Sequence, residues 1–315
     1  MKKILKKIKQ SINDARTSNE LNQAMKKEKA DARMSDELSI LLLCHSLEKG
    51  MGLEEVRKGF GQEKAKALVS VLDRTQDIDS YEFREGMSVL KAWLEYSESQ
   101  NVDVCLIREK YEKLANDKTY KENKAGVEFY SPQKQVYGCV DEQSVKNFIK
   151  NRHSVRSYKK EKISEEIMQE VLKLAACAPS ACNRQPSKVY WTSDENTVSE
   201  IDKCVPGNKG FENTVPNWAI ITSDRKMFGR TESLQWYVNG GIFVSYFIQA
   251  LQLHGIGSCI FQMPITFKTI PQIREIANIP QNEAIVCMIG FGYPKDEIKH
   301  IMADRKKVNE ISIKF

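Results

Sequence analysis

Apolar positions recur at helical spacing through the first third of the chain, and β-branched runs begin only later. Ser35 offers an N-cap to a strongly apolar segment, residues 38–47, and Gly50 is expected to end that helix. Three further segments repeat apolar side chains every three or four positions: residues 62–75, 82–98 and 103–115. The pattern predicts an all-helical domain over residues 35–115.

The segments on either side of this domain carry different patterns. Residues 1–34 form a predicted basic helix with a thin apolar stripe, and their ten Lys and Arg against four Asp and Glu account for the whole net charge of +6. Contact of residues 1–12 with a membrane surface is one interpretation. Packing on the protein or fraying is favoured, because no aromatic side chain anchors the stripe. Residues 116–140 are polar and predict a linker.

From residue 141 onward, helical and β-rich segments alternate, which indicates an α/β or α+β sheet domain over residues 141–315. The predicted helices cover residues 141–151, 164–177, 237–253 and 269–278. The predicted strands cover residues 188–192, 218–222, 257–261 and 284–290.

Charge and cysteine use exclude several functional classes. Outside residues 1–34 the charges balance, so nucleic-acid binding is disfavoured. The eight Cys mostly lie in apolar runs without a CxxC pair, which favours buried thiols in a reducing compartment and disfavours a metal site. The sequence shows neither a signal-peptide pattern nor a membrane-spanning apolar run. A cytoplasmic protein is expected.

Two polar motifs carry candidate chemistry. Arg152-His153-Ser154-Val155-Arg156 concentrates guanidinium, imidazole and hydroxyl donors, which suit a phosphate, although a solvated basic turn is the ordinary alternative. Residues 178–186, with the sequence APSACNRQP, present Ser, Asn and Gln side chains that suit a heterocyclic ring edge or a polyol. Taken alone, that segment could equally be a capped loop.

These motifs, together with QWYVNGG at 235–241, HGIG at 254–257, IGFGYP at 289–294 and the basic residues 305–307, resemble the FMN-dependent nitroreductase family. The resemblance covers residues 141–310. It implies an α+β fold with a central mixed sheet flanked by helices, and a homodimer with one FMN at each of two subunit interfaces. It also implies ping-pong transfer of two electrons from NADH or NADPH to a small-molecule acceptor.

The resemblance also assigns site residues by matching motifs. FMN phosphate, ribityl and ring contacts fall on Arg152, His153, Ser154 and Arg156. Contacts from the other subunit fall on Pro179, Ser180, Ala181 and Asn183. A basic pair completing the phosphate site falls on Arg305 and Lys307, and a further ring contact on Asn208. The backbone facing flavin N5 matches Ile260, Phe261 and Gln262, where the family's acidic-Gly or Gly-Gly pair is missing. The flavin carries the chemistry, so no catalytic side chain is expected.

The amino-terminal helical domain adds a second, separate resemblance. Residues 44–50, CHSLEKG, followed by Gly59-Phe60-Gly61, resemble an extension on nitroreductase-like proteins linked to polysaccharide biosynthesis. His45 and Glu48 share a helix face, either as a structurally satisfied pair or as substrate contacts.

The segment 223–234 is short, whereas many members of the family have additional helices at this place. The amino-terminal helical domain is therefore expected either to cover the flavin or to form an independent module tethered by residues 116–140. Two alternatives to the reductase remain open: a non-catalytic flavin protein in polysaccharide production, and a flavin dehydrogenase that does not use nicotinamide.

Overall fold

The protein is described from a computed structural model. It covers Ser11 and residues 35–129, 131–135, 137–205, 207–229, 231–232, 234–261, 269–299 and 301–315. The basic helix predicted for residues 1–34 lies outside the described residues apart from Ser11, and so does Gln262.

Four helices form the amino-terminal region: α1 Asp36–Met51, α2 Gln62–Arg74, α3 Tyr81–Ser99 and α4 Cys105–Asp117. They surround a core that includes the fully buried Phe83 and Trp93. Ser35 caps α1 as predicted, with its hydroxyl accepting from the Leu38 amide at 3.2 Å. The predicted stop at Gly50 is wrong by one residue, since α1 continues to Met51. Gly50 instead allows the Phe60 ring to approach, because a Cβ there would lie 2.2 Å from that ring.

The chain after α4 lies against these helices. The Lys118 ammonium donates to the carbonyls of Leu72, Asp73 and Thr75 at 2.9–3.0 Å. Asn123 donates from its backbone amide to the Ser88 hydroxyl at 2.9 Å. A short helix, α5 Pro132–Gln135, and a 3-10 turn at Tyr137–Cys139 follow.

Helices and a four-stranded sheet make up the remaining chain. The helices are α6 Glu142–Lys150, α7 Glu165–Ala175, α8 Glu195–Cys204, α9 Gln235–Leu253, α10 Thr269–Ala277 and α11 Val308–Ile311. The strands are β1 Ser187–Thr192, β2 Asn217–Asp224, β3 Gly257–Phe261 and β4 Glu283–Gly292. They pair antiparallel in the order β1-β2-β4-β3, and a parallel bridge joins Ser154 to Ser258 on β3.

Apolar side chains cover both faces of the sheet, which places a helical layer on each. Phe247 of α9 and Val171 of α7 pack with Phe291 in one core. On the other face, Ile201 of α8 and Ile273 of α10 share a core with strand residues. The architecture of this half is α+β, as predicted. Among the described residues, no helix is long and apolar enough to cross a membrane.

Candidate functional site

The predicted phosphate-binding segment runs along the free edge of β3. The Val155 amide donates to the Ser258 carbonyl at 3.0 Å, and this bond fixes residues 152–156 beside the sheet. The close approach requires Gly257, where a Cβ would lie 2.6 Å from a Val155 methyl carbon. Val155 is buried, whereas Ser154 is half-buried and Arg156 is exposed.

Cationic and hydroxyl groups of this segment gather around the Cys259 thiol. Burial raises the pKa of Cys259, whereas Arg156, Ser154 and Arg152 act in the opposite direction. Within the described part of the chain, neither Arg152 nor Arg156 is paired with a carboxylate. His153 is exposed beside them. The structure therefore brings the guanidinium groups of Arg152 and Arg156 together with the Ser154 hydroxyl.

The second motif forms a loop of unusual backbone conformation between α7 and β1. Cys182, Asn183 and Gln185 have φ values of 51°, 52° and 48°, although none of them is glycine. Gln185 also precedes Pro186, and residues before proline favour extended backbone. Strained backbone of this kind persists only where neighbouring contacts hold it, and it is concentrated at functional sites.

Arg184 anchors this loop to the body of the domain. Its guanidinium is 4% exposed and donates to both carboxylate oxygens of Glu232 at 2.8 and 2.9 Å. It also donates to the Met227 carbonyl at 2.9 Å and lies over the Phe228 ring. Burial acts to lower the pKa of Arg184, but the hydrogen bonds to Glu232 and the other contacts of the guanidinium together have the larger effect, so the pKa is raised overall. No motif in the sequence indicated this anchor.

Two short hydrogen bonds complete the loop. The Ala181 amide donates to Oδ1 of Asn239 at 2.8 Å, and the Gln185 amide donates to the Ser180 hydroxyl at 3.0 Å. The Ser180 side chain is thus used within the loop, whereas the Asn183 side chain is exposed. The role of Asn239 was also missed, although it lies within the quoted segment 235–241.

The helical region contacts this loop directly. The Gln185 side-chain amide donates to the Tyr81 hydroxyl at 2.7 Å. Helix α1 also packs against the 3-10 turn Ala181–Asn183. His45 and Glu48, singled out on α1, are both half-buried. Burial and the neighbouring carboxyl of Glu85 raise the pKa of Glu48 to about 7.

The other predicted contacts occupy different surroundings. Asn208 is buried and donates to the Asp202 carboxylate at 3.0 Å, which stabilises its own loop. Ile260 lies 44% exposed on β3, while Phe261 packs against Trp218 in the core. Gln262 lies outside the described residues.

The carboxyl-terminal residues 301–315 are all exposed. Arg305 donates to the Ala303 carbonyl at 3.3 Å, and the Lys307 amide donates to Glu310 at 2.8 Å. Neither contact joins these residues to the segment 152–156. In the ranges that the structure describes, no group of acidic, His or Cys side chains is arranged to hold a metal ion.

The two motifs lie at diagonally opposite corners of the sheet. The loop enters β1 at Ser187, which pairs with Ser223 near the end of β2. Ser258 of β3 lies level with Asn217, at the start of β2, because both residues pair with Phe291 of β4. From β1 to β3 there are three strand spacings across the sheet, and from Asn217 to Ser223 there are six residues along it. Together these two distances put the corners about 25 Å apart. One chain therefore holds the two motifs well apart.

Comparisons with known proteins show what this chain is similar to. Residues 149–206, which contain both motifs, match the model of the Nitroreductase family. An Archaeoglobus fulgidus protein provisionally named NADH dehydrogenase/NAD(P)H nitroreductase is 27% identical over 159 residues, covering 50% of this chain and 88% of that protein. A Thermus thermophilus NADH dehydrogenase is 24% identical over 178 residues, covering 46% of this chain and 84% of its own length.

A solved structure supports the fold. The Bacillus subtilis protein ydfN, provisionally described as a nitroreductase, superposes with a TM-score of 0.50 at 16% identity, covering 56% of this chain and all of that one. The α+β half of the chain thus has a nitroreductase-like fold, and the family match within residues 149–206 supports a nitroreductase-family domain there.

Proposed function

We propose that the protein is an FMN-dependent oxidoreductase that transfers two electrons, in a ping-pong sequence, from NADH or NADPH to a small-molecule acceptor. The observation that carries the proposal is the pair of guanidinium groups, Arg152 and Arg156, gathered with Ser154 at the sheet edge, where no carboxylate of the described residues pairs with either of them. The family match over residues 149–206 and the names of the relatives support the same reaction class.

The donor set fits the terminal phosphate of FMN. Two planar guanidinium forks and a hydroxyl offer several donors to phosphate oxygens, and each charge-assisted hydrogen bond contributes about 1.5–3 kcal/mol. The bridge from Ser154 to Ser258 places these donors beside β3. Ile260, exposed on the same strand, offers an apolar surface to a flat ring.

The separation of the two motifs favours a site shared between two chains. About 25 Å is too far for Arg156 and Asn183 of one chain to surround the same flavin ring. In a symmetric dimer, each corner of one sheet can meet the opposite corner of its partner. We therefore propose a homodimer in which Asn183 and its loop reach the flavin held by the other chain.

Exposed apolar surface supports this dimer. One stripe of α9 carries Val238, Ile242, Tyr246 and Leu253, of which Leu253 is 62% exposed. The terminal segment 301–315 exposes six more large apolar side chains: Ile301, Met302, Val308, Ile311, Ile313 and Phe315. Apolar surface of this extent marks an interaction site, and a second copy of the chain would cover it. Arg305 and Lys307 lie on this terminal segment and would then reach the partner's phosphate site.

The protein's part in the reaction is to bind and to orient. FMN, when bound, supplies hydride chemistry that needs no strong protein acid or base. Arg152, Ser154 and Arg156 fix the phosphate end, and the anchored loop presents Asn183 at a defined position. The contact between Tyr81 and Gln185 supports a role for the helical region in covering the site.

Flavin titrations test this proposal. Fluorescence quenching should show FMN binding far more tightly than riboflavin, because riboflavin lacks the phosphate. Arg156→Ala should weaken FMN binding at least about tenfold and leave riboflavin unchanged. Lys159→Ala is the matched control, since Lys159 is a nearby cation already paired with Asp296 at 2.6 Å. Equal affinities for FMN and riboflavin would contradict the phosphate assignment.

A further inference from the structure

A chain of polar contacts joins the helical region to the loop that carries Asn183. The Gln185 side-chain amide donates to the Tyr81 hydroxyl at 2.7 Å, although the two residues are 104 positions apart in the sequence. The Glu85 carboxyl lies close enough to the Tyr81 hydroxyl for the two groups to influence each other's pKa. Asn123 donates to the same carboxyl at 3.0 Å, so these polar contacts extend to the segment that follows α4.

The polarity of these bonds gives Tyr81 a defined orientation. The phenol has one proton, and burial raises its pKa, so that proton is retained. The Glu85 carboxyl beside it is only 7% exposed. The phenolic oxygen is then directed at the Gln185 amide, which can only donate to it. Moving Tyr81 away would therefore remove the protein acceptor of the Gln185 side chain.

Gln185 is the residue of the loop that most needs support. It combines a φ of +48° with a position before Pro186, and its amide closes the loop onto Ser180. Arg184, the neighbouring residue, holds the loop from the opposite side through Glu232. The backbone between Ser180 and Gln185, which includes Asn183, is therefore held at both ends.

We propose that Tyr81 is a positioning residue for the flavin site: it fixes Gln185, and through Gln185 the loop that presents Asn183 to the flavin of the partner chain. The bracing of the loop is independent of the proposed function, whereas its effect on the flavin rests on that function. The helical region then contributes to cofactor geometry as well as covering the site.

Hydrogen exchange and flavin binding test the proposal on the full-length protein. Tyr81→Phe should raise deuterium uptake in the peptide covering residues 178–186 by about three- to tenfold in rate, the range expected for one lost hydrogen bond. The same variant should weaken FMN binding and alter the visible circular dichroism of the bound flavin. Tyr120→Phe is the matched control, because it removes a similar phenol contact, to Tyr111 at 2.9 Å, away from the loop.

Gln185→Met provides a second variant that leaves the helical core intact, and it should reproduce the effects of Tyr81→Phe. Unchanged exchange in both variants would overturn the proposal, as would an equal rise in Tyr120→Phe. Faster exchange with unchanged flavin spectra and affinity would overturn the positioning role. If the wild-type protein binds no FMN, the proposed function fails, while the exchange comparison still decides whether Tyr81 braces the loop.

Discussion

Replacing Glu232 by Gln should destabilise the protein, because it leaves the Arg184 guanidinium buried without its counter-charge. The pair is bidentate, with N–O distances of 2.8 and 2.9 Å, and Arg184 is 4% exposed. Breaking a fully buried pair costs about 3–5 kcal/mol. The Glu232 side chain is 30% exposed and Gln retains one acceptor, so about 2–3 kcal/mol is expected here.

Urea denaturation followed by tryptophan fluorescence measures this loss. Glu170→Gln is the control, since it breaks an exposed pair with Lys173 and should cost no more than about 0.5 kcal/mol. Adding Arg184→Met to the Glu232→Gln protein should recover part of the loss, because the stranded charge is then removed. A loss below about 1 kcal/mol for Glu232→Gln, or no difference from the control, would refute the role of this pair as the anchor of the loop.

Two further predictions concern the shared site and its surroundings. Arg156→Ala and Asn183→Ala chains should each bind FMN weakly. Mixing and refolding the two variants should restore one tight FMN site in each heterodimer, which amounts to about a quarter of all sites. A monomer by sedimentation, or no restored binding, would contradict a site built from two chains. The pKa of Glu48 is about 7 in the folded protein and near 4.5 in the unfolded chain. The folded state therefore keeps its full stability below pH 4.5, where Glu48 is protonated, and loses part of that stability as the pH rises through 7. Glu48→Gln should therefore unfold with a free energy about 1–2 kcal/mol higher than wild type at pH 8 and close to wild type at pH 4; a gap independent of pH would exclude Glu48 as the titrating group.

The sequence predicted the main elements of the fold because their signals are local. Ser35 was correctly identified as an N-cap, and strand β3 was placed at residues 257–261. Helix α8 was missed because its ten residues, ENTVSEIDKC, carry few apolar side chains and bury mainly Ile201 and Asp202. Too few apolar residues recur at helical spacing in this segment to distinguish it from a polar loop.

The site was predictable only in its composition. The residue types of segments 152–156 and 178–186 indicated phosphate and ring contacts, and these roles stay predictions. The structure gathers Arg152, Ser154 and Arg156 near Cys259. The left-handed backbone at Cys182, Asn183 and Gln185 could not be foreseen, since none of these residues is Gly. The anchors on Glu232 and Tyr81 depend on tertiary contacts 48 and 104 positions away along the sequence.

Anaerobic reduction of the FMN-loaded protein tests the central claim most directly. Stepwise addition of NADH, and separately of NADPH, should bleach the visible flavin absorbance with one equivalent of nicotinamide oxidised per FMN, and a small quinone added afterwards should restore the colour. Tightly bound FMN that stays oxidised with both nucleotides would contradict the claim, and would instead favour a flavin protein that does not take electrons from nicotinamide.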